Sequence, residues 1–309
     1  MGRTRIENFD VVIAGAGPAG LSAALVLGRA RRSILLCDQD TPRNWAAQRM
    51  HAFISREGIE PRRFREIARR ELKSYPTIEI RDAEVTDVAS SGLGFAVTLG
   101  GSERVACRKV LIATGVLDLL PPIPAVESYF GTSVFQCPYC DGWEWRDKAV
   151  AIYGKGRRGF EMSRALTAWT SDIVLCTDGP ARLSARQMSD LERNRIKLVT
   201  ARIDRLQGTK GRLKAIVFRN HQVLPRAALF FDLPARGQSR LGELLGCDVN
   251  RHGRIGCGKY AATNVRGVFA AGNVIDDVQL SIVAAAEGAQ AAFGINSELT
   301  REDFARLAD

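Results

Sequence analysis

The chain has 309 residues, of which 46% are hydrophobic and 25% are charged; this composition is typical of globular proteins and argues against a disordered, collagen-like or disulfide-stapled chain. Its length corresponds to about two domains. The 44 lysines and arginines outnumber the 34 aspartates and glutamates. This surplus permits acidic partners, but no nucleic-acid motif accompanies it and we expect no nucleic-acid binding.

The amino-terminal sequence MGRTRIENFD lacks the apolar stretch of a secretory signal. The seven cysteines are scattered and odd in number, so we expect no disulfide framework and a cytoplasmic protein. Residues 11–28 carry no charge over a length that could cross a membrane. Their glycines and proline instead indicate a buried strand that turns into a helix, and no membrane association is expected.

A strand, a glycine-rich loop, a helix and a second strand form the first predicted unit. The strand is the apolar run at 9–14, the loop is Gly-Ala-Gly-Pro-Ala-Gly at 15–20, and the helix continues to residue 30 through small residues. The second strand, at 33–38, ends in an aspartate 23 residues after the first glycine. This βαβ order is typical of a dinucleotide fold.

The residues of this loop suit a pyrophosphate. Gly15 makes the tight turn, Gly17 lets the backbone approach the phosphates, and Gly20 lets the helix pack on the strand. Asp38 can accept hydrogen bonds from a ribose. The pattern predicts a bound dinucleotide; the alternative is a structural turn without a ligand.

The next segment supplies a basic helix and further strands. Residues 62–73 form a predicted amphipathic helix whose arginines face solvent. Segments 78–88 and 94–110 alternate like antiparallel strands, and 110–115 is a buried strand that ends in Ala-Thr-Gly. The three prolines of 120–124 indicate a linker.

The motif Cys-Pro-Tyr-Cys-Asp at 137–141 is the candidate reactive centre. Cys137 and Cys140 can reach one another if the first opens a helix, whose N-terminus stabilises a thiolate. Asp141 is a candidate proton donor and acceptor for the thiolate that leaves. The alternatives are half of a zinc site, for which the later cysteines have poor spacing, and two inert buried cysteines.

Two tryptophans follow the dithiol. Trp143 and Trp145 are expected to shield the thiols from water, and their alternation predicts an edge strand. Packing into the core is the alternative.

A second strand, glycine loop, helix and strand occur at 149–153, 154–159, 160–169 and 172–177. The loop is formally Gly-x-Gly-x-x-Gly, but its surroundings do not suit a nicotinamide nucleotide. Arg157 and Arg158 stand where small or acidic residues would let the nicotinamide lie flat, and Asp178 would repel a 2′-phosphate. NADPH, NADH, and a degenerate loop or another ligand remain open for this second site, which comprises Gly154, Gly156, Arg157, Arg158 and Asp178.

The carboxyl-terminal part completes the first fold with a strand at 268–271, Gly272–Asn273 and an alanine-rich helix that begins near Gln279 and ends near Ile295. We therefore predict an α/β protein with two Rossmann-like, three-layer ββα nucleotide-binding domains, the second inserted into the first. The first domain comprises residues 1–118 and 246–309. The inserted domain, 119–245, carries the dithiol.

These features follow one another in the order of low-molecular-weight thioredoxin reductases: dinucleotide fold, Ala-Thr-Gly strand end, Cys-x-x-Cys-Asp, second dinucleotide fold, and Gly-Asp or Gly-Asn before a helix. The chain resembles that family over nearly its whole length. The resemblance implies that FAD is the cofactor, that Cys140 faces the flavin, that Cys137 exchanges with the substrate and that Asp141 is the acid and base. It also implies a homodimer.

On this resemblance, the flavin contacts the glycine loop, the Ala-Thr-Gly turn and the N-terminus of the last helix. His51 either approaches the flavin edge or is merely hydrogen-bonded. No metal site is expected. The residues assigned to FAD are Gly15, Gly17, Pro18, Ala19, Asp38, Asn44, His51, Val85, Ala113, Thr114, Gly115, Gly272, Asn273, Gln279, Leu280 and Ser281.

Three departures separate the chain from the family pattern. Asn273 replaces the aspartate that holds the ribitol, residues 154–159 replace a Gly-Gly-Gly-x-x-Ala loop, and residues 177–179 replace the His-Arg-Arg that grips the 2′-phosphate. The chain thus looks closer to a side branch with small-molecule dithiol oxidases and members that take electrons from donors other than NADPH. Some of these relatives hold a second flavin.

Three functional hypotheses follow. The first is reduction of an external disulfide through the flavin and the Cys137–Cys140 pair, with NADH, a reduced carrier protein or a second FAD as donor in place of NADPH. The second is an O2-dependent oxidase of a small-molecule dithiol. The third is a flavin-bearing redox sensor. Ordinary NADPH-dependent reduction is the remaining alternative.

The expected partner is a thioredoxin-like protein or a small-molecule disulfide or dithiol. Residues 121–244 carry 20 basic and 12 acidic residues, a surplus that fits an acidic electron-donor protein. Rotation of the domains about segments 121–124 and 241–247 would move the dithiol between flavin and substrate.

Overall fold

Each of the two glycine-rich units forms the centre of one parallel sheet. The computed structural model describes residues 6–92 and 94–307; residues 1–5 of the amino-terminal run, Leu93 and residues 308–309 lie outside the described part. The strands, in chain order, are β1 (Glu7–Ala14), β2 (Ile34–Cys37), β3 (Ile78–Arg81), β4 (Val85–Ser91), β5 (Gly94–Leu99), β6 (Glu103–Ile112), β7 (Val116–Leu117), β8 (Val134–Phe135), β9 (Val150–Tyr153), β10 (Ile173–Cys176), β11 (Lys197–Val199), β12 (Ile203–Thr209), β13 (Arg212–Phe218), β14 (Val223–Pro225), β15 (Ala228–Phe231), β16 (Arg236–Gly237) and β17 (Val268–Ala270). The helices are α1 (Pro18–Arg29), α2 (Pro61–Leu72), α3 (Pro138–Asp141), α4 (Gly156–Leu166), α5 (Ala185–Arg193), α6 (Leu241–Leu244) and α7 (Ser281–Arg306).

The first sheet takes strands from both ends of the chain. Its parallel part has the order β3-β2-β1-β6, with β17 also parallel to β6, and β5 and β4 extend β6 as an antiparallel meander. Residues 11–14 and 34–37 are buried, because helices α1, α2 and α7 cover one face while the meander and α6 cover the other. Sheet, meander and helices are the three layers that the sequence predicts.

Helices α1 and α7 pack closely because Gly288 stands where the two backbones meet. A Cβ on Gly288 would lie 2.0 Å from the carbonyl oxygen of Ala19 in α1. Gly20 instead lets α1 pack against the glycine loop, since a Cβ there would lie 1.9 Å from the carbonyl oxygen of Gly15. No side chain fits at either position. Since β1 and β17 are parallel strands of one sheet, the first residues of both helices lie at the same edge of that sheet.

Helix α7 is longer than predicted, because it continues past Ile295 to Arg306. Lys109 of β6 is 3% exposed, and its Nζ donates to Glu298 and Glu302 at 2.6 and 2.7 Å. These charge-assisted bonds fix the additional turns to the sheet. Although α7 has 26 residues, neither it nor another helix of the described chain combines the length and apolar character that a bilayer crossing needs.

The inserted unit repeats this architecture. Its parallel sheet has the order β11-β10-β9-β15-β8, with α4 and α5 on one face and the antiparallel strands β12, β13 and β14 on the other. Helix α5 begins with a capping box in which Ser184 and Gln187 exchange two side-chain-to-backbone hydrogen bonds of 3.2 and 3.0 Å.

The chain leaves and re-enters the first unit side by side, because β7 and β16 pair antiparallel. The domain boundaries at 118/119 and 245/246 stay a prediction. Leu241 and Cys247 are buried in the core of the first sheet. Their packing favours a return at β16 over the predicted pivot at 241–247.

The predicted edge strand after the dithiol is wrong: Gly142–Trp145 is a 3-10 helix. A Cβ on Gly142 would lie 2.9 Å from the Trp169 ring, so the helix packs tightly at this point. Trp145 packs on Phe135 with the ring centroids 5.9 Å apart. Trp143 is 64% exposed, so only one of the two tryptophans turns inward.

Replacing Gly288 by alanine is expected to destabilise the protein by about 1–3 kcal/mol, because the new Cβ would force α1 and α7 apart. Helix propensity alone predicts the opposite sign, since alanine is the better helix former. Thermal unfolding measures the change. Gly256→Ala is the matched control, because its Cβ would meet its nearest atom at 3.5 Å; an unchanged or raised Tm for Gly288→Ala would contradict the packing argument.

Candidate functional site

A cavity of about 820 Å³ opens between the two sheets. It lies beyond the carboxyl ends of β1, β2, β6 and β17 in the first sheet and of β15 in the second, because Gly15, Asp38, Ala113, Gly272 and Asp232 border it. Open α/β sheets bind their ligands at this edge. The volume falls within the range of ligand and cofactor pockets, roughly 300–1,000 Å³.

The first glycine loop presents bare backbone to the cavity. Gly15 has a φ of +109°, and a Cβ there would lie 2.4 Å from the carbonyl oxygen of Ala113, so only glycine fits. A Cβ on Gly17 would meet nothing within 4 Å. Helix α1 begins at Pro18, and no side chain of the described residues caps it, which leaves its first amides for an anionic ligand.

The predicted Ala-Thr-Gly turn borders the cavity beside this loop. The hydroxyl of Thr114 is buried and has no hydrogen-bond partner within residues 6–92 and 94–307. A buried hydroxyl of this kind costs free energy unless a ligand or water satisfies it. We therefore expect a polar group of the ligand at Thr114.

A second helix N-terminus faces the same cavity. Gly272 has a φ of +78°, and its amide donates to Oε2 of Glu287 at 2.7 Å. Burial raises the pKa of Glu287. Helix α7 begins at Ser281 without a side-chain cap from the described residues, and Gln279, Leu280 and Ser281 all border the cavity.

Asp38 also borders the cavity, but α2 holds its carboxylate. Arg69 donates to Oδ2 of Asp38 at 2.8 Å, Arg65 lies 3.7 Å from the same oxygen, and the Asp40 amide donates to Oδ1 at 3.0 Å. The prediction that the arginines of α2 face solvent is therefore wrong for Arg65 and Arg69. Asp38 retains lone pairs for a ribose, and that role stays a prediction.

Cys137 and Cys140 form a disulfide that borders the cavity. The helix α3 is a single turn with Cys137 as its N-cap residue, and the Cys140 amide donates to Cys137 Sγ at 3.1 Å. A backbone donor is therefore already in place for negative charge on this sulfur. Tyr139 between the two cysteines is 71% exposed, which leaves this side of the pair open to an external partner.

Asp141, at the end of α3, has the properties of a proton carrier. Burial, reinforced by the negative charge of Glu144, raises its pKa to about 7, and His51 acts in the opposite direction. The His51 Nδ1 lies 2.5 Å from Oε1 of Glu57, and its Nε2 lies 3.6 Å from Oε1 of Glu144. His51 therefore both borders the cavity and is hydrogen-bonded, which joins the two alternatives that the sequence leaves open.

The structure brings all the predicted catalytic and FAD residues to this one cavity. They come from both units and from segments up to 266 residues apart in the chain, from Gly15 to Ser281. The residues at the cavity wall are Gly15, Gly17, Pro18, Ala19, Asp38, Asn44, His51, Val85, Ala113, Thr114, Gly115, Cys137, Cys140, Asp141, Gly272, Asn273, Gln279, Leu280 and Ser281.

The predicted second nucleotide site reaches this cavity only in part. Arg158 borders the cavity and pairs with Asp232 at 3.0 Å. Gly154 closes the second turn, since a Cβ there would lie 2.8 Å from Gly159 Cα. Of the remaining members, Gly156 begins α4 with a φ of +56°, and the Arg157 side chain is 88% exposed.

Asp178 is held in place at the end of β10, because its Oδ1 accepts a hydrogen bond from the Ile203 amide at 2.8 Å. Lys155 and Arg202 flank the next residue: Lys155 Nζ and a terminal nitrogen of Arg202 lie 3.8 and 3.9 Å from an ideal Cβ on Gly179. Neither cation is among the residues predicted for this site: Lys155 lies in the glycine loop itself, and Arg202 comes from a later segment of the unit.

The polar residues at the cavity that are absent from the sequence prediction include Arg43, Asp118, Gln136 and Arg254. Asp118 accepts hydrogen bonds from Arg43 at 2.7 and 2.8 Å and from Gln136 at 2.8 Å. No sequence motif indicates these residues, since Arg43 and Asp118 are 75 positions apart.

The chain matches the family model described as pyridine nucleotide-disulphide oxidoreductase over residues 9–288. Among solved structures, TrxB from Bacillus anthracis is 34% identical, with a TM-score of 0.90 and coverage of 96% of this chain and 99% of that chain. HlmI is 33% identical, with a TM-score of 0.94 and coverage of 100% and 98%.

Two relatives are described as thioredoxin reductases. The thioredoxin reductase tcpT from Claviceps purpurea is 29% identical over 279 residues, which are 85% of this chain and 86% of that protein. A probable thioredoxin reductase from Arthroderma benhamiae is 35% identical over 179 residues, which are 56% of this chain and only 44% of that relative.

The chain therefore belongs to the pyridine nucleotide-disulphide oxidoreductase family. Within it, the protein is an FAD-dependent disulfide oxidoreductase similar to thioredoxin reductases. The resemblance inferred from the motifs and the α/β fold with two Rossmann-type domains are both confirmed.

The residues at the cavity fit FAD. The open backbone at Gly17 and the uncapped start of α1 suit a diphosphate, the Thr114 hydroxyl lacks a partner within the described chain, and the start of α7 suits a polar ring edge. Bound FAD supplies two-electron chemistry, while the protein supplies position and protonation. The contacts of individual residues with FAD stay predictions.

Asp141 is expected to give disulfide exchange a pH profile that falls with a midpoint near pH 7. Only the protonated carboxyl can donate to a leaving thiolate, and the protonated fraction falls as the pH rises through its pKa of about 7. Glu144→Gln removes a negative neighbour and should move the midpoint to lower pH. Asp141→Asn should abolish this limb and slow exchange by about 10²–10⁴-fold.

The measurement is the rate at which a small disulfide oxidises the reduced protein, divided at each pH by the thiolate fraction found by alkylation. Glu127→Gln is the control, because this exposed carboxylate is outside the cavity wall and its loss should leave the midpoint in place. An unchanged or raised midpoint in Glu144→Gln would contradict the assignment.

Proposed function

We propose that the protein moves electrons between FAD, the Cys137–Cys140 pair and an external disulfide, with a donor other than NADPH. One observation carries the proposal: the disulfide borders the same cavity as two uncapped helix N-termini and the open glycine loop. In this arrangement the sulfur pair adjoins the space that FAD fits, while Tyr139 leaves its other side accessible.

The reducing direction uses Cys137, Asp141 and Cys140 in turn. In the reduced pair, the Cys137 thiolate attacks one sulfur of the external disulfide, whose S–S bond breaks as a mixed disulfide forms. Asp141 gives its proton to the first departing thiolate. The Cys140 thiolate then attacks Cys137 Sγ, which releases the second substrate thiolate and restores the Cys137–Cys140 disulfide.

The proposed choice of donor rests on the second glycine loop. An acid at the end of the second strand of a dinucleotide fold accepts hydrogen bonds from a ribose 2′-hydroxyl and repels a 2′-phosphate, and Asp178 is held at this position by Ile203. Lys155 and Arg202 flank Gly179 and favour a phosphate. The two influences oppose each other, so a titration with both nicotinamide nucleotides is decisive.

A thioredoxin-like protein is the proposed disulfide partner, because relatives of this chain carry the name thioredoxin reductase. The homodimer, the cytoplasmic location and the acidic electron donor stay predictions. Domain rotation about residues 121–124 and β16 is the proposed motion that would bring the dithiol to a large partner.

Oxidation of a small-molecule dithiol with O2 as acceptor is the second candidate. The exposed aromatic side chains of Tyr139 and Trp143 beside the disulfide favour it, since they offer an apolar surface to a small ligand. Peroxide formed in proportion to added dithiol, without a pyridine nucleotide, would support this function.

The donor is tested by anaerobic titration of the FAD-loaded protein, followed by bleaching of the flavin absorbance. NADH is expected to reduce the flavin at lower concentration than NADPH, and Asp178→Ser should narrow this preference, because it removes the carboxylate that repels a 2′-phosphate. Asp190→Ser, on α5, is the control. Full bleaching of the wild type by micromolar NADPH would contradict the proposed donor.

The sulfur pair is tested by Cys137→Ser and Cys140→Ser. Each variant is expected to lose disulfide turnover, because neither single thiol can complete the two exchange steps. Cys257→Ser is the matched control, since this thiol is outside the cavity wall. Unchanged turnover of Cys137→Ser on every substrate would contradict the proposed enzymatic function. The flavin-bearing redox sensor would then be the remaining hypothesis.

A further inference from the structure

Arg254 is a buried cation at the cavity wall that the steps above do not use. It is 7% exposed. Its amide donates to Oδ1 of Asn250 at 3.1 Å, and the next amide, of Ile255, donates to the carbonyl oxygen of Val274 at 2.9 Å. The first bond holds the Arg254 backbone within its own turn, and the second joins it to the segment that follows Gly272.

The Arg254 guanidinium contacts backbone carbonyl oxygens rather than carboxylates. Its Nη1 donates to the carbonyl oxygen of Asn273 and lies 3.5 Å from that of Ile275. In the described part of the chain, no carboxylate oxygen lies within 4.0 Å of Arg254, and its Nε and Nη2 have no protein acceptor. Since Arg254 borders the cavity, these two nitrogens are available to a ligand.

The surrounding charges do not neutralise Arg254. Arg43 is paired with Asp118 and also donates to Oε1 of Gln279 at 2.5 Å, so its own charge is already balanced. Burial and Arg43 both lower the pKa of Arg254, while Asp276 and Asp118 act in the opposite direction from beyond contact distance. The cluster of Arg43, Asp118 and Arg254 thus keeps one positive charge at the cavity wall.

A buried cation without a carboxylate is costly unless a counter-charge enters the cavity. A flavin dinucleotide brings such a charge, on its diphosphate in every state and on its ring system after reduction. We propose that Arg254 balances the negative charge of bound FAD. The proposal rests on the proposed function, because it requires FAD in this cavity.

The test compares wild type, Arg254→Met and Arg254→Lys as apo-proteins. Methionine removes the charge and keeps an apolar stem, whereas lysine keeps the charge. For each protein, the dissociation constants of FAD and riboflavin, the Tm of the apo-protein and the midpoint potential of the bound flavin are measured. Arg251→Met is the matched control, because this neighbouring arginine is exposed and outside the cavity wall.

Arg254→Met is expected to weaken FAD binding by roughly 10- to 100-fold, the range for loss of a hydrogen bond to a charged group. Arg254→Lys should stay nearer to wild type, and the Tm of the Arg254→Met apo-protein should be unchanged or higher. If the diphosphate is the counter-charge, riboflavin binding is unaffected. If it is the reduced ring, the potential becomes more negative, by about 30 mV for each tenfold difference between oxidation states.

Wild-type affinity for FAD and an unchanged potential in Arg254→Met would overturn the proposal. So would an apo-protein that folds with lysine but not with methionine, because Arg254 would then be structural. A wild-type protein that takes up no FAD would instead overturn the proposed function, so the two failures are distinguishable.

Discussion

The site depends on the contact between α1 and α7, where Gly288 of α7 lies directly against the backbone of Ala19 in α1. Because no Cβ separates the helices, their uncapped N-termini lie at one edge of the sheet and face one cavity. Each N-terminus carries a partial positive charge, so the two together favour an anionic ligand before any side chain contributes. The charged residues of the wall then modify a field that the backbone has already set up.

The charged residues of the cavity wall have different surroundings, and these surroundings suit them to different roles. Asp118 neutralises Arg43 and also accepts a hydrogen bond from Gln136 of the inserted unit, so this pair links the two units through polar contacts. Arg254 has no carboxylate partner within the described residues, while burial and Glu144 raise the pKa of Asp141, next to the dithiol, to about 7. The wall thus carries an uncompensated positive charge at Arg254 and a transferable proton beside the sulfur pair.

The parts of the fold that sequence reasoning predicts well are those whose chemistry needs neighbours in the chain. The two strand–glycine loop–helix units and the Cys137–Cys140 spacing are of this kind, and the predicted residues of the first unit and of the dithiol meet at one cavity. The parts it missed depend on residues that are distant in the chain. Lys109 and Glu298 extend α7 across 189 positions, and Arg254 acquires its role only from the loop beyond Gly272.

The tryptophans after the dithiol show a different limit. Alternation of Trp143 and Trp145 is compatible with a strand, but a short 3-10 helix also turns one ring inward and one outward. What decides between them is the close contact between Gly142 and Trp169, which residue spacing does not reveal.

The interrupted layout of the first sheet has a consequence for biosynthesis. Strand β17 and α7 are made after the whole inserted unit, so during synthesis β6 lacks one of its neighbouring strands, and Lys109 lacks its carboxylate partners, until that unit has been translated. The inserted unit has its own continuous stretch of chain and can fold earlier, since domains generally fold as units during synthesis. We therefore expect cofactor uptake to follow the synthesis of α7, because Gly272 and the start of α7 at Ser281 are part of the cavity wall.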